Sequence, residues 1–152
     1  MEQKYKKNRH AVYLLQYHLV VVTKYRHPVL VGKIAARLIQ ISHEVIDDYW
    51  HCQILEINTD KDHIHILFEA SPQTQLSKLI NNYKTVTSRL LRKEFAQQLA
   101  EYYWKPALWS DTYFISSVSD TSEQMIRNYI QQQGKKDNGP KRKRGRPKKA
   151  GC

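Results

Sequence analysis

Residues 51–70, HCQILEINTDKDHIHILFEA, decide how this chain folds. Two runs rich in aliphatic residues, 51–58 and 63–70, flank Thr59-Asp60-Lys61-Asp62, a cluster of turn formers. That pattern predicts two strands joined as a hairpin. In the second run Ile64 and Ile66 alternate with His63 and His65. Successive side chains on a strand point to opposite faces, so the two imidazoles project side by side from one face. That spacing suits two ligands of one metal ion. It also suits a polar sheet face, but a polar pair inside an apolar strand needs partners if it is buried.

The neighbours of this hairpin extend the reading. Residues 11–23, AVYLLQYHLVVVT, form a long Val- and Tyr-rich strand, followed by a turn at His27-Pro28. Over residues 31–49, Ile34, Leu38, Ile41, Val45 and Ile46 recur at helical spacing. After turn signals at 71–74, Leu76, Leu79, Ile80, Tyr83, Val86, Leu90, Leu91 and Phe95 mark a long amphipathic helix. Residues 102–110 are aromatic and irregular, and 112–118 read as a strand. Residues 121–133 read as a helix, with Thr121 or Ser122 at its cap and Glu123 in its first turn. The order is β-α-β-β-α-β-α. Its first six elements match a ferredoxin-like (split βαβ) arrangement, an α+β fold with an antiparallel sheet and two helices on one face. The last helix is an appendage carrying Tyr129.

A chain of 152 residues is one domain by length and buries enough surface to need neither disulfide nor structural metal. The two cysteines, Cys52 and Cys152, give no disulfide framework, which points to a reducing compartment. No stretch has the length of apolar sequence that a transmembrane helix needs, and the charged Met1–Arg9 segment does not read as a signal peptide. The formal net charge is +11, but it is unevenly placed. Residues 135–152 hold nine basic residues and one acid, Asp137, so the tail contributes +8 and residues 1–134 only +3. Nucleic-acid binding by the body must therefore rest on particular residues. The tail, with no apolar anchor before Ala150, reads as disordered.

Three further constellations stand out. Tyr129 and Gln133 share a helix face at i, i+4. A phenol can act as nucleophile and an amide carbonyl as an oxygen ligand, although a tyrosine on an amphipathic helix is more often part of a core. Lys84, Ser88 and Arg92 lie on one face of the long helix, with Arg89 and Lys93 adjacent. Cations mixed with hydroxyls suit phosphate contacts, and a solvated helix face reads the same way. In the tail, Arg144-Gly145-Arg146-Pro147 within KRKRGRPKK looks like an AT-hook, an extended Arg-Gly-Arg segment for a narrow A·T minor groove. A general polyanion-binding tail fits the same residues.

Taken together, the ordered stretches resemble the single-tyrosine HUH transposases (TnpA type) of the smallest prokaryotic insertion sequences. The matching segments are Tyr17-His18-Leu19-Val20 with Thr23-Lys24-Tyr25-Arg26, Asp62-His63-Ile64-His65-Ile66-Leu67, and Thr87-Ser88-Arg89 with Arg92-Lys93-Glu94-Phe95. Leu108-Trp109-Ser110 with Tyr113-Phe114, and Ile126-Arg127-Asn128-Tyr129-Ile130, complete the set. The resemblance runs from about residue 10 to residue 133 and leaves the tail outside, dividing the chain into 1–134 and 135–152. It implies that His63, His65 and Gln133 bind a divalent ion, Mg²⁺ or Mn²⁺, and that Tyr129 is the nucleophile. It implies cleavage and rejoining of single-stranded DNA at hairpin-bearing element ends through a 5′-phosphotyrosine. It also implies a homodimer with composite sites and a cytoplasmic, nucleoid-associated protein without membrane or nucleotide partners. With only five glycines, the chain shows no glycine-rich phosphate loop. Tyr83, Trp104, Trp109, Tyr113 and Phe114 are candidate base-stacking platforms. The alternative is a non-catalytic nucleic-acid-binding module on a ferredoxin-like fold, though no RNP1-like run is present. A water-using metal hydrolase and an architectural protein built around the tail are further rivals.

Overall fold

The computed structural model describes residues 5–7, 9–118 and 122–138, and in its last helix leaves out the side chains of Lys135, Lys136 and Asn138. It is a mixed α/β structure whose strand pairs are all antiparallel. A small ribbon pairs β1 (Lys6–Lys7) with β2 (Val12–Tyr13), giving the N-terminal arm a partner. The main sheet contains β3 (Leu15–Val22), β4 (Gln53–Asp60), β5 (His63–Ala70) and β6 (Phe114–Ser117), in the order β4-β5-β3-β6.

The sheet is covered on both faces. Ile64, Ile66 and Phe68 of β5, with Leu19 and Val21 of β3, pack beneath α1 (Gly32–Ser42) and α2 (Leu76–Glu94) in the main core. Val20 and Val22 point the other way and pack under Ile126, Tyr129 and Ile130 of α4 (Glu123–Asn138). This explains why residues 19–22 are apolar without alternation: a central strand covered on both faces has no wet side.

Several boundaries differ from the sequence reading for local reasons. The hairpin turn shrinks to Lys61-Asp62, because Thr59 and Asp60 remain paired with Ile64 and His63. The first helix divides at Ser42, whose hydroxyl donates to the Leu38 carbonyl at 2.7 Å, and continues as a π-helical stretch, His43–Tyr49. A short helix, α3 (Ala96–Ala100), follows α2. The last helix runs to Asn138, five residues past the expected end at 133 and so a little over one turn. Its extension is anchored by Asp137, whose carboxylate accepts from the Tyr25 backbone N–H at 2.9 Å. Arg144 and Arg146 lie outside the described residues.

Candidate active site

β5 sets the site's first half. Register pairs His65 with Val20 and His63 with Val22, so both imidazoles lie on the sheet face that α4 covers. Val20 also pairs with Phe114 of β6, which aligns His65, Val20 and Phe114 in one row across three strands. The Phe114 and Tyr129 rings pack with centroids 5.6 Å apart. The nucleophile candidate and the histidine pair therefore share one sheet face.

Each histidine has its own partner. His63 Nδ1–H donates to Asp62 Oδ1 at 2.9 Å, and Asp62 is buried. In the neutral ring that bond selects the Nδ1–H tautomer, which makes Nε2 the acceptor nitrogen. Arg26 Nε donates to the other Asp62 oxygen at 3.1 Å. Asp60, Asp62 and His63 form the one group among the described residues whose His, Cys or acidic ligand atoms lie within 4.8 Å of one another. His65 stands outside that group: its Nε2 shares a proton with His18 Nδ1 at 2.7 Å, and the two rings stack 4.9 Å apart. Burial pushes the His65 imidazole below its ordinary pKa, and His18 reinforces the shift, so the ring is held neutral, the form that can ligate a cation.

α4 and a bulge set the second half. Three residue steps along β3, from Val20 to Thr23, correspond to five on the facing segment, from Phe114 back to Trp109. The two surplus residues push 111–113 out of register. Thr112 thereby reaches α4, where its hydroxyl lies 3.0 Å from the Tyr129 hydroxyl and donates to Gln133 Oε1 at 3.0 Å. A hydroxyl has one proton, so Tyr129 is the donor of the first bond. The phenolic proton is thus directed at Thr112, and the oxygen's lone pairs are left for another group. Burial raises the Tyr129 pKa, partly opposed by the bond to Thr112, so the phenol is neutral at physiological pH. Gln133 is only 5% exposed.

Lys84 takes a different position from a free phosphate contact. Its ammonium donates to the carbonyls of Ser110 at 2.8 Å and Thr112 at 3.4 Å, bracing the bulge from α2. Ser88 accepts from Arg92 Nε at 3.1 Å. Lys84, Ser88, Arg89 and Arg92 line a cleft of about 1040 Å³ together with Lys24 and Trp104, while Lys93 is outside the lining. Trp104 is 89% exposed, with the Lys105 ammonium 4.9 Å from its ring centroid. Two other proposed platforms are core residues instead. Tyr83 is fully buried and hydrogen-bonded to Ser42, and Trp109 is buried with its Nε1–H donated to Thr87. Tyr113 packs against the main core and Phe114 against Tyr129.

Sequence reasoning assigned no role to Thr112, Asp62, Arg26 or His18. The available signals were the Asp-His dipeptide at 62–63 and a histidine in an otherwise apolar strand at 18. Nothing local marked Thr112.

A family model described as "Transposase IS200 like" matches residues 11–133. The chain is 33% identical over 132 residues to the ISDra2 transposase TnpA of Deinococcus radiodurans, covering 87% of this chain and 93% of that one. It is 27% identical over 128 residues to the transposase for insertion sequence element IS200 of Salmonella typhimurium, covering 84% and 82%. A crystal structure of a candidate transposase from Deinococcus radiodurans superimposes with a TM-score of 0.77 at 32% identity, covering 84% of this chain and 97% of that one.

Proposed function

Because the chain belongs to the IS200-like transposase family, a family of DNA strand-transfer enzymes, we propose that Tyr129 is its nucleophile and single-stranded DNA its substrate. The observation that carries this reading is the Tyr129–Thr112–Gln133 hydrogen-bond chain, set on the sheet face that bears His63 and His65. In the proposed step, Tyr129 Oη forms a bond to the scissile phosphorus as the P–O3′ bond breaks. The phenol's proton is lost, the 3′-oxygen leaves as a hydroxyl, and a 5′-phosphotyrosine remains. A 3′-hydroxyl attacking that linkage reverses the chemistry at a new junction. The bond energy is retained throughout, so no nucleotide is consumed.

His63, His65 and Gln133 would hold a divalent cation, Mg²⁺ or Mn²⁺. The donor set fits: an imidazole whose Nδ1 is held by Asp62, a second kept neutral by burial whose Nε2 would exchange its bond to His18 for the ion, and a buried amide oxygen, with Asp60 and Asp62 alongside. When bound, the ion would polarise the scissile phosphate and neutralise developing charge. Asp62 orients His63, and Thr112 aims the Tyr129 proton away from the phosphate.

The same reading assigns the sheet as a ferredoxin-like, split βαβ arrangement. The four main strands in chain order lie in the spatial order second, third, first, fourth, which supports it. The cleft lined by Lys24, Arg89, Arg92 and Trp104 offers cations and an exposed ring for an unpaired strand, and it reaches Ser110 and Asp111 beside the Thr112 bulge. DNA hairpins at the element's ends are the proposed ligand. A homodimer with composite sites is proposed as well, with β4 as an edge strand that has one neighbour in the sheet. No helix among the described residues is long and apolar enough to cross a membrane; a cytoplasmic, nucleoid-associated location is part of the proposal.

The test is a denaturing gel of the full chain with single-stranded hairpin DNA and Mn²⁺. A metal-dependent protein–DNA adduct whose phosphate maps to Tyr129 establishes the mechanism. Cleaved DNA without an adduct points to a water-using hydrolase, and binding without either product, to the element's own ends, points to a binding module.

Two smaller effects follow. Thr112→Val keeps the side chain's shape and removes the hydroxyl, leaving Gln133 Oε1 and the Tyr129 proton without that partner. Cleavage is expected to slow about ten- to a hundredfold, the range for lost positioning contacts, with hairpin affinity unchanged and Thr112→Ser restoring most of the rate. Wild-type rates for the valine variant would remove Thr112 from the mechanism. Deleting residues 139–152, which include Arg144 and Arg146, removes seven cations. Non-specific DNA binding should weaken, and its dependence on log salt should flatten by several units. An unchanged slope would show that the tail touches no phosphates.

A further inference from the structure

We infer that Arg26 is a positioning residue that couples seating of the tyrosine helix to the orientation of His63. The inference rests on the reading of His63 as a cation ligand. It begins with the backbone. The turn Lys24–Arg26 holds two consecutive non-glycine residues in the left-handed region, Tyr25 at φ 59° and Arg26 at φ 54°. L side chains rarely adopt this conformation, and it persists only where the surroundings impose it.

The neighbouring groups impose it. The Arg26 N–H donates to the Thr23 carbonyl at 2.9 Å, and the Tyr103 hydroxyl donates to the Lys24 carbonyl at 2.7 Å. From α4, Asp137 accepts the Tyr25 N–H at 2.9 Å and lies 3.8 Å from the Lys24 ammonium. The last helix therefore grips the strained turn directly.

Arg26 is the part of the turn that faces both ways. On one side its guanidinium holds a buried Asp62 oxygen at 3.1 Å, and the other Asp62 oxygen holds His63 at 2.9 Å. On the other side its side chain lies against Gly134, the residue after Gln133. A Cβ built on Gly134 would sit 2.5 Å from Arg26 Cδ and 3.1 Å from Cγ, but 3.7 Å from Arg26 Cβ. The helix thus approaches the turn at a position where only a hydrogen fits, and what it meets is the aliphatic stem of the arginine that positions Asp62. A cleft of about 840 Å³, lined by Arg26, Asp62, Gln131 and Gly134 among others, opens beside this contact. A displaced Arg26 side chain has room to move away from Asp62.

The coupling predicts a non-additive pair. Arg26→Ala leaves Asp62 without its cation, so the Asp62–His63 bond loosens. Gly134→Ala pushes the same side chain off Asp62 while leaving its charge in the protein. In the double variant the two close atoms, Cδ and Cγ, are gone and the alanine methyl at 134 has no neighbour nearer than the Cβ of residue 26 at 3.7 Å, an ordinary contact, so the second change should add nothing.

The experiment is Mn²⁺ binding to the full chain without DNA, measured by electron paramagnetic resonance on wild type, His63→Ala, Arg26→Ala, Gly134→Ala and the double variant. Nitrogen-15 NMR of His63 provides a second readout, since it reports which ring nitrogen carries the proton without any turnover. Expected results are an affinity loss of about tenfold in Arg26→Ala and in Gly134→Ala, no greater loss in the double, and partial loss of the Nδ1–H tautomer in those three. Arg26→Gln, which keeps a donor and the stem, covers the case in which alanine at 26 unfolds the turn; it should retain more of the Nδ1–H signal than alanine. Additive losses, or single variants with wild-type affinity and tautomer, overturn the coupling. If His63→Ala itself binds Mn²⁺ like wild type, the failure lies instead in the reading of His63 as a ligand.

Discussion

Tyr129→Phe is expected to abolish strand cleavage and adduct formation while leaving hairpin binding intact. The substitution removes one oxygen and no carbon. The ring keeps its packing against Phe114 and over Val20 and Val22, so the helix stays seated. What disappears is the group that forms the covalent bond and the proton it gives to Thr112. Losing one such partly buried hydrogen bond costs about 1 kcal/mol of stability, which a folded domain tolerates. The chemical loss is far larger, because removing a covalent nucleophile lowers rates by about four or more orders of magnitude. Thr112 and Gln133 remain bonded to one another, so the cation-binding residues are undisturbed. The assay is a denaturing gel beside a band-shift titration. Cleavage at the wild-type rate would sink the assignment of Tyr129, and lost hairpin binding would show that the phenol serves the fold.

How much of this was legible beforehand depends on the range of the interaction that determines each feature. His63 and His65 share a face because a strand has a two-residue period, a property of the local backbone. The burial of Leu19 to Val22 on both sides follows from an unbroken apolar run. Features set by long-range register were not legible. His18 meets His65 because β3 and β5 pair in one particular alignment. Thr112 reaches Tyr129 because β6 slips against β3 beyond Phe114, and nothing in residues 111–113 announces the slip. Tyr83 and Trp109 were candidate stacking platforms because aromatic rings serve cores and nucleic-acid surfaces alike, and only burial separates the two uses. The charge of Lys84 and its place beside Ser88 and Arg92 suit a phosphate contact, yet its ammonium is used by two carbonyls of the bulge. In the sequence Asp137 is the lone acid of a basic tail. In the structure that carboxylate anchors the last turns of α4 to the strained turn, which is why the helix outruns its predicted end.

His63→Ala tests the other half of the site, and its expected effect is nearly as large. The side chain is 20% exposed and lies on the face away from the main core, whereas its neighbour Ile64 is fully buried. Truncation at 63 therefore removes little packing, and the melting temperature should shift by only a few degrees. The imidazole is held by a buried carboxylate, an arrangement that costs desolvation and is retained here at the very position expected to ligate a cation. Loss of an outer partner to such a ligand weakens metal binding about ten- to a hundredfold, so loss of the ligand itself should exceed that range. The concentration of Mn²⁺ giving half-maximal cleavage is expected to rise by more than about a hundredfold, with hairpin affinity near wild type. Tyr129 is intact in this variant, so adduct formation at very high Mn²⁺ would show the nucleophile still competent and only the cation missing. An unchanged Mn²⁺ dependence would remove His63 from the cation site and leave its bond to Asp62 as a purely structural contact. The two variants thus separate the oxygen that attacks, on α4, from the imidazole on β5 that prepares the phosphate, while Gln133 joins the two halves through its bond to Thr112.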